Sequence, residues 1–156
     1  MDNRFYIEKL IVTGIGVKEA SLKFTKGVNL IVGSSDTGKS YIYQCIDYLL
    51  GAETCPKNIP EGDGYSEAYL QIKTIDERVF TIFRNLKTVS KASVSETTYE
   101  KYKTSEKVVL GIKNGTLEGE NISEFLLKLM GVSDVFLKMN AQNKTRKLSF
   151  RDIARL

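Results

Sequence analysis

Residues Gly33-Ser34-Ser35-Asp36-Thr37-Gly38-Lys39-Ser40 carry the strongest chemical signal in the chain. They fit G-x-x-x-x-G-K-[ST], the phosphate loop, at every fixed position. Gly33 and Gly38 remove Cβ atoms where a backbone must wrap closely around an anion. The amide N–H groups of residues 34–40 then point inward, and the helix N-terminus behind them adds positive potential. Lys39 supplies a point charge for β- and γ-phosphates, the Ser40 hydroxyl is a Mg²⁺ ligand, and Tyr41 follows on the helix. Residues 33–41 are therefore the expected nucleotide-binding set. Asp36 is an acid inside an anion-binding loop. Facing inward it would repel phosphate, so it is expected to face out. There it either orients Mg²⁺-bound water or meets a partner subunit, or it is a solvated turn residue capping a local N–H.

A phosphate loop needs a strand before it and a helix after it. Residues 28–32, VNLIV, form a short, nearly all-apolar run between turn signals, the pattern of a strand buried on both faces. Behind the loop, KSYIYQCIDYLLG places Ile42, Cys45, Ile46 and Leu49 at helical spacing, and Gly51 stands where a helix ends. Upstream, residues 4–13 and 19–24 read as strands. Downstream, residues 52–64 hold both prolines and read as a surface loop. Residues 66–74 and 78–86 alternate in polarity and form a hairpin. Residues 87–107, rich in Ser, Thr and Lys, suit an exposed edge strand or a mobile loop. Residues 108–119 suggest a strand and an Asn-Gly turn. Residues 121–131 predict a helix with Phe125, Leu126, Leu129 and Met130 on one face and Ser123 as its cap, and 148–156 begin another capped by Ser149.

Composition narrows the chemistry. The chain has 156 residues, a net charge of +4 and no histidine, which removes Ser-His-Asp and Cys-His catalysis. Cys45 and Cys55 are the only cysteines, too few for an ordinary zinc site, and read as reduced thiols. There is no apolar run long enough for a membrane span and no visible secretory leader, so no membrane partner and a cytoplasmic location are expected.

GTPase motifs are absent: Asn143-Lys144-Thr145-Arg146 lacks the aspartate that would read guanine. No later apolar strand ends in the Asp or Asp-Glu that usually completes a Mg²⁺ site. The order IEKLIVTGIG…EASLKFTKGVNLIVGSSDTGKSYIYQCIDYLLG, and above all FTKGVNLIVG at 24–33, resembles the N-terminal head segment of the SMC, SbcC, RecN and RecF group of ABC-type ATPases. The resemblance is strong over residues 4–51 and rests on strand pattern alone over 66–113. It implies an α/β phosphate-loop NTPase lobe spanning 1–156. That lobe would have a mixed sheet, antiparallel strands over about 66–113 and a helical end over about 121–156, as a fragment of a longer coiled-coil protein. It implies ATP and Mg²⁺ as cofactors and no catalytic residue within this segment. The remaining motifs would come from the C-terminal half of the same head. Implied partners are a second head across an ATP sandwich, DNA, and a nuclease or effector subunit. Ser35 and Asp36 replace the family's usual Asn-Gly pair, which points to a divergent branch such as the SMC-like ATPases of bacterial anti-phage systems, with DNA repair, chromosome maintenance and phage defence all open as the setting. Gln142 is the candidate within the chain for the glutamine that bridges Mg²⁺ and partner, with a position beyond Leu156 preferred.

Outside the loop, the basic stretch 138–155 suits DNA, the partner lobe, or a solvated face. Arg84 could sense phosphate or pair with a carboxylate. Arg4 and Lys18 lie near the first strands, where the resemblance places adenine. A stand-alone phosphate-loop kinase or nucleotide-sensing module, and a basic interaction module with a vestigial loop, stay open as alternatives.

Overall fold

In the computed structural model, which describes residues 3–35, 37–88, 91–112 and 120–154, the alternating segments build one six-stranded sheet. Its strands are β1 (Phe5–Thr13), β2 (Ala20–Lys23), β3 (Glu67–Thr74), β4 (Val79–Asn85), β5 (Ala92–Ser95) and β6 (Val108–Leu110). Their order is β2-β1-β3-β4-β5-β6, and every ladder is antiparallel. Period-two alternation assigns the faces. Leu10, Leu70 and Ile82 face helix α1 (Lys39–Leu49), while their neighbours Ile11, Tyr69 and Phe83 face a 3-10 turn at Tyr99–Thr104. On that second face Tyr69 meets Tyr99 and Tyr102 edge-on at 5.0 and 5.5 Å.

The predicted 66–74/78–86 hairpin is present as β3–β4. Residues 87–107 contribute neither an edge strand nor a loop throughout. β5 is an interior strand, paired with β4 and β6, with Ala92 and Val94 buried. Small side chains let it lie under the 3-10 turn. Val89, Ser90 and the Asn114-Gly115 turn lie outside the described residues.

The strand expected at 28–32 does not form among the described residues. Val28, Leu30 and Val32 are 99%, 84% and 77% exposed. A run apolar on both faces becomes a strand only where neighbours supply ladder partners and cover both faces. Here α1 covers the antiparallel sheet instead, so the mixed sheet expected from the sequence is observed as an antiparallel one. Asn29 closes the turn that enters the run: its Oδ1 accepts from the Thr25 amide at 2.9 Å and its Nδ2 donates to the Thr25 carbonyl at 2.7 Å.

The C-terminal part adds α2 (Ile122–Leu129), the two-stranded β7 (Phe136–Lys138) and β8 (Thr145–Lys147), and α3 (Phe150–Ala154). Asn121, not Ser123, caps α2, in a reciprocal pair with Glu124. The Ser123 hydroxyl instead accepts from the Phe150 amide at 2.6 Å and joins α2 to α3. Ser149 does cap α3: its Oγ accepts from Arg151 N, and Asp152 reaches back to Ser149 N. Among the described residues no helix is long and apolar enough to cross a membrane.

Arg84 holds α1 in place. It is fully buried, its Nη1 donates to the carbonyls of Tyr48 and of Ala52 (2.7 Å), and its guanidinium stacks over the Tyr48 ring at 3.6 Å. It thus satisfies carbonyls that the helix end leaves without intrahelical partners. Burial lowers the Arg84 pKa, yet the carbonyls and ring still favour the cation. Phosphate sensing is ruled out by position, because Arg84 sits at the end of α1 opposite the loop. Arg84→Leu should cost about 2–4 kcal/mol, since it removes the donor to the Ala52 carbonyl and leaves the Tyr48 carbonyl with the Gly51 amide. Urea unfolding should show this as a lower midpoint with an unchanged slope.

Candidate functional site

The phosphate loop emerges from the exposed run and turns into α1 at Gly38, the N-cap, whose φ is +78°. That left-handed value suits glycine. The first helical hydrogen bond, Ile42 N to Gly38 O, is 3.0 Å. Lys39 folds back across the loop. Its Nζ donates to Gly33 O at 2.8 Å, to Ser34 O, and to Thr37 Oγ1 at 3.1 Å. Thr37 Oγ1 in turn donates to Ser34 O at 2.9 Å. Gly33 is required by this closeness: a Cβ there would stand 2.9 Å from Thr37 Oγ1 and 3.7 Å from Lys39 Nζ. The ammonium is thereby held at the mouth of the loop, where a phosphate would meet it. Ser40 is exposed on the first turn, free to ligate a cation. Asp36 lies outside the described residues.

The loop floors a cleft of about 610 Å³ that includes Ser35, Lys39 and Ser40. Its opposite wall is Ile59, Pro60 and Glu61, from the segment read in the sequence as a surface loop. A 3-10 turn at Pro60–Gly62 brings them there. The segment is pinned by Tyr65, whose hydroxyl donates to Lys18 O at 2.9 Å, and by Ser66 N donating to Thr13 O at 2.9 Å. Gly14 permits the approach, because a Cβ on it would fall 1.9 Å from Gly64 O. Nothing local in the 52–64 sequence announces this wall. The one available signal was Gly14, which reads as a strand breaker.

A second, mostly apolar cavity of about 290 Å³ lies between the β1–β2 hairpin and α1, lined by Leu10, Val12, Leu22 and Ile42 among others. Cys45 forms part of its lining. Burial pushes the Cys45 thiol up to about 12, against the opposing effect of a hydrogen bond with Tyr41. Burial, with the two cysteines nearby, likewise raises the Tyr41 phenol.

The other expected residues fall elsewhere. Arg4 precedes β1 at its far end, roughly 25 Å from Val12 at about 3.3 Å per residue, and its carbonyl accepts from Ile75 N. Lys18 is at the correct end of the hairpin but does not line either cavity. Gln142 sits exposed in the β7–β8 turn, its amide bonded to Asn140 Oδ1, and is not among the residues lining the cleft. The basic stretch is largely neutralised in place. Arg146 pairs with Asp152 at 2.7 Å, Lys147 with Glu124 at 2.7 Å, and Arg151 with Asp47 at 3.0 Å. Among the described residues no group of three His, Cys, Asp or Glu is placed to hold a metal ion. The described residue that would hold a Mg²⁺ ion is Ser40, together with the phosphates the ion accompanies, and its exposed hydroxyl beside the roomy cleft fits that role.

Glycine loop, lysine and following helix define a phosphate-loop nucleotide-binding domain. A protein-family model described as an AAA domain, AAA_23, matches residues 12–152. The chain belongs to that family, and its function is of the nucleotide-binding ATPase type. No curated protein matches the chain.

Two outcomes follow from the geometry. Gly33→Ala displaces Thr37 and with it Lys39. It should weaken ATP binding about tenfold, the equivalent of one hydrogen bond, while thermal melting stays near wild type because the loop is exposed. A thiol reagent such as Ellman's should titrate Cys55 alone in the native chain and both cysteines in denaturant.

Proposed function

We propose that this chain is the phosphate-binding lobe of an SMC-like ATPase head that binds ATP and Mg²⁺ and is completed by a second lobe. The observation that carries the reading is the run at 28–32, apolar on both faces, without a ladder partner among the described residues, and leading straight into the phosphate loop. A second copy of the same run could cover one edge but would leave both faces in water. A folded sheet with its own covering helices would satisfy edges and faces together. The C-terminal half of the same head is the partner this reading assigns. A second head, DNA and an effector subunit would act on the completed unit, in repair, chromosome maintenance or phage defence.

Within this division of labour the chain supplies Lys39, the loop amides and Ser40. Mg²⁺, when bound, would supply charge neutralisation of the phosphates. The attacking water and its base would be positioned by the second lobe.

The test is equilibrium binding of ATP with Mg²⁺ to the chain, alone and with the second lobe. The chain alone should bind ATP weakly and hydrolyse it at background rate. Lys39→Ala should cut the affinity at least tenfold, the loss expected for a charged phosphate contact. Added second lobe should slow hydrogen exchange at residues 30–32 and raise ATP affinity, and by linkage ATP should raise lobe affinity by the same factor. Brisk hydrolysis by the pure monomer, or no loss of affinity in Lys39→Ala, would overturn the reading.

A further inference from the structure

The cleft over the phosphate loop and the apolar cavity beside α1 are contiguous. Thr37, Gly38, Tyr41, Ile59 and Glu61 line both. A ligand with phosphates on the loop and a flat, apolar ring between Leu10, Val12 and Ile42 must pass its connecting group over those shared residues. In a nucleotide that group is the sugar. Among the described residues Glu61 is the only charged one of the shared set, and its side chain has no hydrogen-bond partner there.

The chemistry of Glu61 selects what it can touch. A carboxylate is acceptor-only, with two oxygens. Phosphate oxygens are acceptors too and carry like charge, so they repel it. Vicinal ribose hydroxyls present two donors at carboxylate spacing. We infer that Glu61 accepts the 2′ and 3′ hydroxyls of a ribonucleotide and sets the preference of this site for ribose over 2′-deoxyribose. The backbone under Glu61 is held for the task. Pro60 opens its 3-10 turn, the Tyr41 ring packs against Gly62, and Tyr65 anchors the following residues to Lys18 O. The same carboxylate would reject a 2′-phosphate. This inference rests on the nucleotide reading above.

The experiment is equilibrium dialysis of the chain against ATP, 2′-deoxy-ATP and inorganic tripolyphosphate, each with Mg²⁺, for wild type, Glu61→Ala and Glu61→Gln. Wild type should favour ATP over 2′-deoxy-ATP about tenfold, the worth of one charge-assisted hydrogen bond. Glu61→Ala should remove that preference by weakening ATP alone, and Glu61→Gln should keep part of it. Tripolyphosphate affinity should not fall in either variant. No sugar preference in wild type, or equal loss of ATP and 2′-deoxy-ATP in Glu61→Ala, would overturn the inference while leaving the nucleotide site intact. A matching loss of tripolyphosphate affinity, recovered at higher Mg²⁺, would assign Glu61 to the cation instead and overturn it too. If wild type binds none of the three, the nucleotide reading itself fails and this inference with it.

Discussion

The placement of α1 is the constraint on which the site depends, and Arg84 fixes it. A helix that begins at a phosphate loop must be held at its other end, because its N-terminus has to stay open to a ligand. Arg84 does this from β4, gathering the Tyr48 and Ala52 carbonyls and stacking on the Tyr48 ring. A buried arginine is expensive to desolvate, and it is tolerated here because its donors meet carbonyls and its face meets an aromatic ring. On the outer side, Arg151 of α3 grips Asp47 on the same helix. With its last turn held by β4 and α3, the helix presents Lys39 and Ser40 from a rigid base.

The loop itself is held differently. Its own carbonyls and Thr37 position Lys39, so the lysine is only as ordered as residues 33 and 34. Those residues continue the exposed run at 28–32. Fully burying a Val, Leu or Ile side chain is worth about 1.5–3 kcal/mol, and Val28, Leu30, Ile31 and Val32 all stand in water to differing degrees. That forgone stabilisation is concentrated immediately before the one segment whose geometry the chemistry needs.

What the sequence disclosed followed the range of the forces involved. The phosphate loop, α1, the β3–β4 hairpin and the Ser149 cap depend on local spacing, and local spacing is visible in Gly33, Lys39, the alternation of residues 66–74 and 78–86, and Ser149. The 28–32 run has the composition of a buried strand, but whether it ladders depends on neighbours that no local pattern contains. β5 was obscured because its polar and small residues conceal a strand paired on both sides. The wall at Ile59–Glu61 depends on Gly14 meeting Gly64, fifty residues apart in the chain. A tertiary contact between two glycines leaves no periodic trace.

The basic C-terminal stretch shows why charge counting overstates an interaction surface. Read as sequence, Lys138 to Ala154 contains one acid, Asp152. Folded, Arg146, Lys147 and Arg151 turn to Asp152, Glu124 and Asp47, drawn from α3, α2 and α1. These pairs are only partly exposed, so solvent screens them less than isolated surface pairs. They join three helices that also share one apolar core. The cations left to solvent in this stretch are Lys138 and Lys144 on the β7–β8 hairpin, too few for a phosphate-backbone footprint. The stretch thus serves first as a fastener on the outer side of α1.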